Sequence, residues 1–180
     1  MIDLRPVGHI IGLLLIVLGG SMALPILADI MQGSGNWPAF ALSAAVTLFV
    51  GVGLELACRS ERAAELSIRQ TFLLTVSIWT VSPIFAALPF VFGAPHASAA
   101  DAFFEAVSGV TTTGSTVFTG LDSMPPGVLI WRAMLQWFGG LGIIVVALAF
   151  LPALRVGGMQ LFKSEAFDTF GKILPRAGEI

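Results

Sequence analysis

Four apolar runs constrain this chain more than any other feature. Residues 7–30, 39–58, 71–92 and 127–151 carry almost no charge, and short polar or irregular stretches separate them. A helix rises about 1.5 Å per residue and a bilayer core is about 30 Å thick, so each run is long enough to cross. Inside a bilayer the backbone must satisfy its own hydrogen bonds, which single runs of this length do as helices. Composition removes the soluble alternative: 11% of the 180 residues are charged and 56% are hydrophobic, against about 25% charged in soluble domains. We therefore expect an all-α membrane protein.

The first run holds His9, Ser21 and Asp29 as its polar residues. Arg5, the apolar stretch and Ser21-Met22-Ala23 also resemble a secretory signal with a small-x-small cleavage site. Continuation of the run through 24–27 argues against cleavage. Residues 31–37 read as a turn, with Trp37 at the interface and Pro38 in the first turn of the next helix. Near the end of that second run, Glu55 either reaches the interface beside Arg59 or ligates an ion, and the first reading is preferred. Cys58 is the single cysteine, which excludes an internal disulfide, and it reads as a small apolar residue at the membrane edge. Residues 59–69 form a polar hinge, with the Glu61–Glu65 and Glu65–Arg69 spacings on one helix face.

The third run contains Pro83 and Pro89, so a kink or unwinding is expected toward its outer end. A loop at 93–100 follows, in which His96 has no ligand partner at metal-binding spacing and reads as solvent-facing. Residues 101–110 then predict a helix capped by Ser98 or Asp101, about 15 Å long and half a membrane deep. An irregular loop at 111–123 leads to Pro125-Pro126 and the fourth run. That run carries Arg132, Gln136 and Gly139-Gly140-x-Gly142, and Pro152 stops it. The glycines suit close helix packing better than gating. Residues 155–180 place apolar side chains roughly on one face, as an amphipathic helix on the inner membrane surface would. The expected organisation is 1–69, two leading transmembrane helices and a loop; 70–152, a helix–pore-loop–helix repeat; and 153–180, a cytoplasmic or interfacial amphipathic segment.

Basic residues set the sidedness. Arg5, then Arg59, Arg62 and Arg69, then Arg155, Lys163, Lys172 and Arg176 flank one side, whereas 31–37 and 93–124 contain no Lys or Arg. Both termini are thus expected in the cytoplasm, with 93–124 outside. A half-length helix entering from outside would end near the membrane centre, where the partial negative charge of its C-terminus favours a cation. Thr112, Thr113, Gly114 and Ser115 would return outward with their carbonyls replacing an ion's water. Gly114 suits a turn with positive φ or a close backbone approach. Asp101, Glu105 and Asp122 would concentrate cations in a segment without basic residues. Arg132 either snorkels to the outer interface or pairs with Asp101, Glu105 or Asp122 and braces the loop. The simpler alternative is an outer loop lying on the surface.

Glu105-Ala-Val-Ser-Gly-Val-Thr-Thr-Thr-Gly-Ser-Thr-Val-Phe118, Trp131-Arg-Ala-Met-Leu-Gln-Trp-Phe-Gly-Gly-Leu-Gly-Ile143 and Gly158-Met-Gln-Leu-Phe162 together resemble the bacterial Trk/Ktr potassium-uptake subunits, of the TrkH type. The resemblance implies a multi-pass protein of the bacterial inner membrane in which four such repeats surround a potassium pore. Each repeat contributes a filter strand with a central glycine, here Gly114, so the potassium ion would lie at Thr112, Thr113 and Gly114. It also implies a cytoplasmic nucleotide-binding regulatory subunit and a homodimer of full-length subunits, with potassium as transported ion and no tightly bound organic cofactor. One repeat is present, so the chain looks like an N-terminal portion whose partners are the remaining three repeats and membrane lipid. The loop shares Thr112 and the glycine with the Thr-Val-Gly-Tyr-Gly filter of potassium channels, which leaves potassium and sodium both open. A non-transporting membrane scaffold is the rival function. An enzyme is not expected, because no nucleophile–base pair or paired intramembrane Asp stands out. The net charge of -2 offers no basic face for nucleic acid.

Overall fold

The structure, a computed structural model, describes residues 3–59 and 66–150. All regular structure among them is helical. The Glu61–Glu65 and Glu65–Arg69 spacings, the stop at Pro152 and the amphipathic tail lie outside the described residues. The chain divides into two units, Met1–Gly140 and Leu141–Ile180. Of the second, only helical residues 141–150 are described.

The first apolar run is two helices rather than the single one expected: α1 (Arg5–Ser21) and α2 (Ala23–Gln32), separated at Met22. Pro25 accounts for the break, since it has no N–H for the Ser21 carbonyl and its ring crowds that carbonyl. The Ser21 hydroxyl turns back instead to the Leu18 carbonyl at 2.7 Å. The third run breaks in the same way. α4 (Ile68–Ala86) gives way at Ala87 to α5 (Leu88–Phe92), so Pro83 is tolerated inside a helix and the break lies just before Pro89. The carbonyl of Ala86, left free there, accepts the indole N–H of Trp131 at 2.9 Å. α4 begins at a capping box, with Ser67 and Gln70 exchanging hydrogen bonds, the reciprocal arrangement that satisfies two orphan amides.

The second run is α3 (Trp37–Cys58), with Pro38 in its first turn. It packs along α1. A Cβ added at Gly12 would stand 2.8 Å from the Gly51 carbonyl oxygen, so the two backbones meet where neither residue carries a side chain. α6 (Ala99–Val110) packs on α4 and α5. At about 18 Å it is too short to span. A 3-10 turn at Leu121–Ser123 precedes α7 (Pro126–Phe150). Phe40, Phe90, Trp131, Leu15, Met22 and Leu135 form the core between these helices, with the Phe40 and Trp131 rings edge to face at 6.2 Å. Arg5–Gln32, Trp37–Cys58, Arg69–Phe92 and Pro126–Ile144 are long and apolar enough to cross a membrane.

Candidate functional site

α6 is amphipathic at helical spacing. Ala102, Glu105, Ala106, Ser108 and Gly109 are buried, while Phe103 and Phe104 face outward. Ser98 caps it, its hydroxyl accepting the Asp101 N–H at 3.2 Å. Its far end closes on itself. Thr112 adopts φ 57, its N–H donates to the Gly109 carbonyl at 2.9 Å, and the Thr113 N–H donates to the Ser108 carbonyl at 2.9 Å. That is the Schellman pattern, in which a left-handed residue lets the chain cap the helix it leaves. Glycine normally fills that position. A β-branched threonine there is strained, by about 1–3 kcal/mol, and such strain collects where backbone direction matters.

Capping the helix this way leaves the next carbonyls unused. Those of Thr112, Thr113 and Gly114 accept no hydrogen bond from any described residue, and residues 111–117 are all exposed. Gly114 has φ 78, and a Cβ there would meet nothing within 4 Å. Its glycine answers to backbone conformation, not to crowding within this chain. The Thr111 hydroxyl, bonded to the Val107 carbonyl at 2.8 Å, lies 2.7 Å from the Thr113 hydroxyl and joins helix end to loop.

The returning limb is held from behind. Ser108 Oγ donates to the Ser115 carbonyl at 2.6 Å, so that carbonyl is engaged inward, unlike its three predecessors. Glu105, 2% exposed, accepts Thr116 Oγ1 at 2.9 Å and the Val117 N–H at 3.1 Å on Oε2. Its Oε1 lies 2.6 Å from Arg132 Nε on α7. One carboxylate thus clamps the loop to the following helix, and the pair cancels both charges. Phe118 then seats its ring on Phe90 at 5.3 Å. α7 approaches closely here. A Cβ at Gly139 would collide with the Val110 carbonyl, and one at Gly109 would stand 2.9 Å from Leu135 Cβ.

Of the residues singled out from sequence, Thr112, Thr113, Gly114, Ser115, Glu105 and Arg132 come together. Asp101 does not join them. It sits in the first turn of α6 with Ser98 Oγ 2.8 Å from its Oδ2, and Asp122 is exposed in the 3-10 turn. Glu55 stands 3.8 Å from His9 Nδ1, away from the loop. Sequence reasoning passed over Ser108, Thr116 and the buried pair Asp29 and Asn36. The signal for Asp29 was present: an acid within an uncharged apolar run needs a partner.

A row of unpaired carbonyls on a neutral backbone can replace the water of a monovalent cation. Among the described residues no group of three His, Cys, Asp or Glu could hold a metal ion tightly. The match to the TrkH cation transport protein family covers residues 37–175. The Trk system potassium uptake protein TrkH of Escherichia coli (strain K12) is 47% identical over 178 residues, 97% of this chain and 37% of that protein. TrkG of the same strain is 32% identical over 178 residues, 97% of this chain and 36% of the relative. The crystal structure of the potassium transporter TrkH from Vibrio parahaemolyticus matches with a TM-score of 0.79 at 39% identity, covering 94% of this chain and 36% of the other. The chain therefore spans little more than a third of its relatives' length, 37% of the Escherichia coli protein. Four helices among the described residues are long and apolar enough to cross a membrane, which with this family makes the chain a multi-pass membrane protein. The family is one of transport proteins rather than enzymes. Matched over most of its length, the chain belongs to the TrkH family of cation transport proteins.

Proposed function

We propose that this chain supplies one of four walls of a potassium-uptake pore in a bacterial inner membrane. The three unpaired, exposed carbonyls of Thr112, Thr113 and Gly114 carry this reading. They project from a loop fixed by Glu105, Arg132 and Ser108, in a chain akin to potassium uptake proteins. Ser115 is assigned to holding the loop, because its carbonyl is taken by Ser108. A non-transporting scaffold leaves that row of carbonyls, and the strain at Thr112, without a purpose. The exposed face of 111–117 is where the remaining repeats of a subunit of the relatives' length would close the pore.

The test is potassium uptake in a potassium-requiring strain carrying the complete subunit, with and without Gly114→Asp. A side chain at φ 78 strains the turn, and a carboxylate in the path would bind cations too tightly to release them. Uptake should fall to background with the protein still in the membrane. Wild-type uptake would remove Gly114 from the ion path. The absence of Lys and Arg from 93–124 further supports an external loop and cytoplasmic termini. A cysteine placed at Ser34 should react with an impermeant thiol reagent in intact cells; labelling only after lysis would reverse the orientation.

A further inference from the structure

Asp29 and Asn36 form a buried polar knot outside the pore loop. Asp29 is 0% exposed and Asn36 7%. Asn36 Nδ2 donates to Asp29 Oδ2 at 3.1 Å. The other Asp29 oxygen accepts the Gly127 N–H at 2.8 Å, in the first turn of α7. The other end of the Asn36 amide accepts the Ala94 N–H at 2.7 Å, in the turn that leads into α6. Both contacts close over glycine. A Cβ at Gly127 would stand 2.6 Å from Asp29 Cγ, and one at Gly93 would stand 2.8 Å from Asn36 Oδ1.

The two points held are the approach to α6 and the start of α7, the helices on either side of the filter loop. From Gly127 to Arg132 is five residues of helix, about 7.5 Å. Whatever fixes the Gly127 amide therefore fixes the axial position of the arginine that holds Glu105, and through Glu105 the limb carrying Thr116 and Val117. Asp29 and Asn36 themselves belong to the leading pair of spans, not to the segment that bears the loop. We infer that Asp29 and Asn36 are positioning residues for the filter: the leading spans use them to set the separation and register of α6 and α7, and so the aim of the loop carbonyls. This rests on the filter reading proposed above.

The network can be reversed without losing a bond. With the amide at position 29 and the carboxylate at 36, the amide oxygen still accepts from Gly127 and its NH2 still donates across. The carboxylate accepts that NH2 on one oxygen and the Ala94 N–H on the other. Complete subunits carrying Asp29→Asn, Asn36→Asp, or both would be reconstituted in liposomes and scored for the potassium-to-sodium flux ratio. Size exclusion in detergent would check folding. Each single change should lower that ratio roughly three- to tenfold, the scale of one hydrogen bond, and the double swap should restore it. Wild-type ratios in the folded single variants, or a double swap no better than either, would overturn the inference. If a single variant does not fold, Asn36→Ser, uncharged and too short to bridge, takes its place with the same two outcomes. Gly114→Asp in the same liposomes separates the two proposals: if it alone alters flux, the positioning role fails and the filter stands, and if it too is silent, the filter reading fails.

Discussion

Glu105 and Arg132 sit where charge is costly, and each makes the other tolerable. Removing one partner from a buried pair leaves the other uncompensated, a loss of about 3–5 kcal/mol. Arg132→Leu should therefore lower the thermal midpoint of the complete subunit in detergent by several degrees and reduce uptake. Arg132→Lys keeps the charge but loses the planar Nε donor that meets Oε1 at 2.6 Å, so it should fall between. Equal midpoints for all three proteins would mean that the pair braces nothing. A choice for Arg132 between snorkelling to the interface and taking a carboxylate partner was legible from its place in an apolar run. Which of three carboxylates it would choose was not, because Asp101, Glu105 and Asp122 are separated by the turn geometry of α6 and its loop. Thr112 was read as a filter residue without any hint of φ 57, since the Schellman closure depends on where the helix stops.

At the scale of elements, the prolines and glycines explain most of what the apolar pattern left open. Hydropathy shows a span and is blind to a break inside it, which is why the first run read as one helix. Pro25 breaks it because the carbonyl four residues back loses both its donor and its space. The half-length helix at 101–110 was readable from length, with Ser98 and Asp101 both open as its cap; in the structure Ser98 is the cap and α6 begins two residues earlier, at Ala99–Val110. The glycines of α7 are not equivalent. Gly139 lies under the Val110 carbonyl at the end of α6, whereas a Cβ at Gly140 would meet nothing within 4 Å. Gly139→Ala should push α7 from α6 at an overpacking cost of about 1–3 kcal/mol and cut uptake, while Gly140→Ala should leave folding intact. A tolerated Gly139→Ala would show that α6 and α7 can separate without consequence to the loop.

Taken over the described residues of the first unit, the side-chain hydrogen bonds lead from the leading spans to the loop at 111–117. Two leading spans hold the approach to α6 and the start of α7 through Asp29 and Asn36. Those helices hold the loop through Glu105, Arg132 and Ser108, and the loop leaves three carbonyls unpaired. Their long-range ties were not legible beforehand. Asp29 and Gly127 lie 98 positions apart, and no periodicity links them. Potassium held by those carbonyls would be seen most directly as ion density in crystals of the complete subunit grown with rubidium or thallium. Anomalous density is expected within coordination distance of the carbonyl oxygens of Thr112, Thr113 and Gly114. Ion density elsewhere along the path, with these three oxygens facing only water, would contradict it.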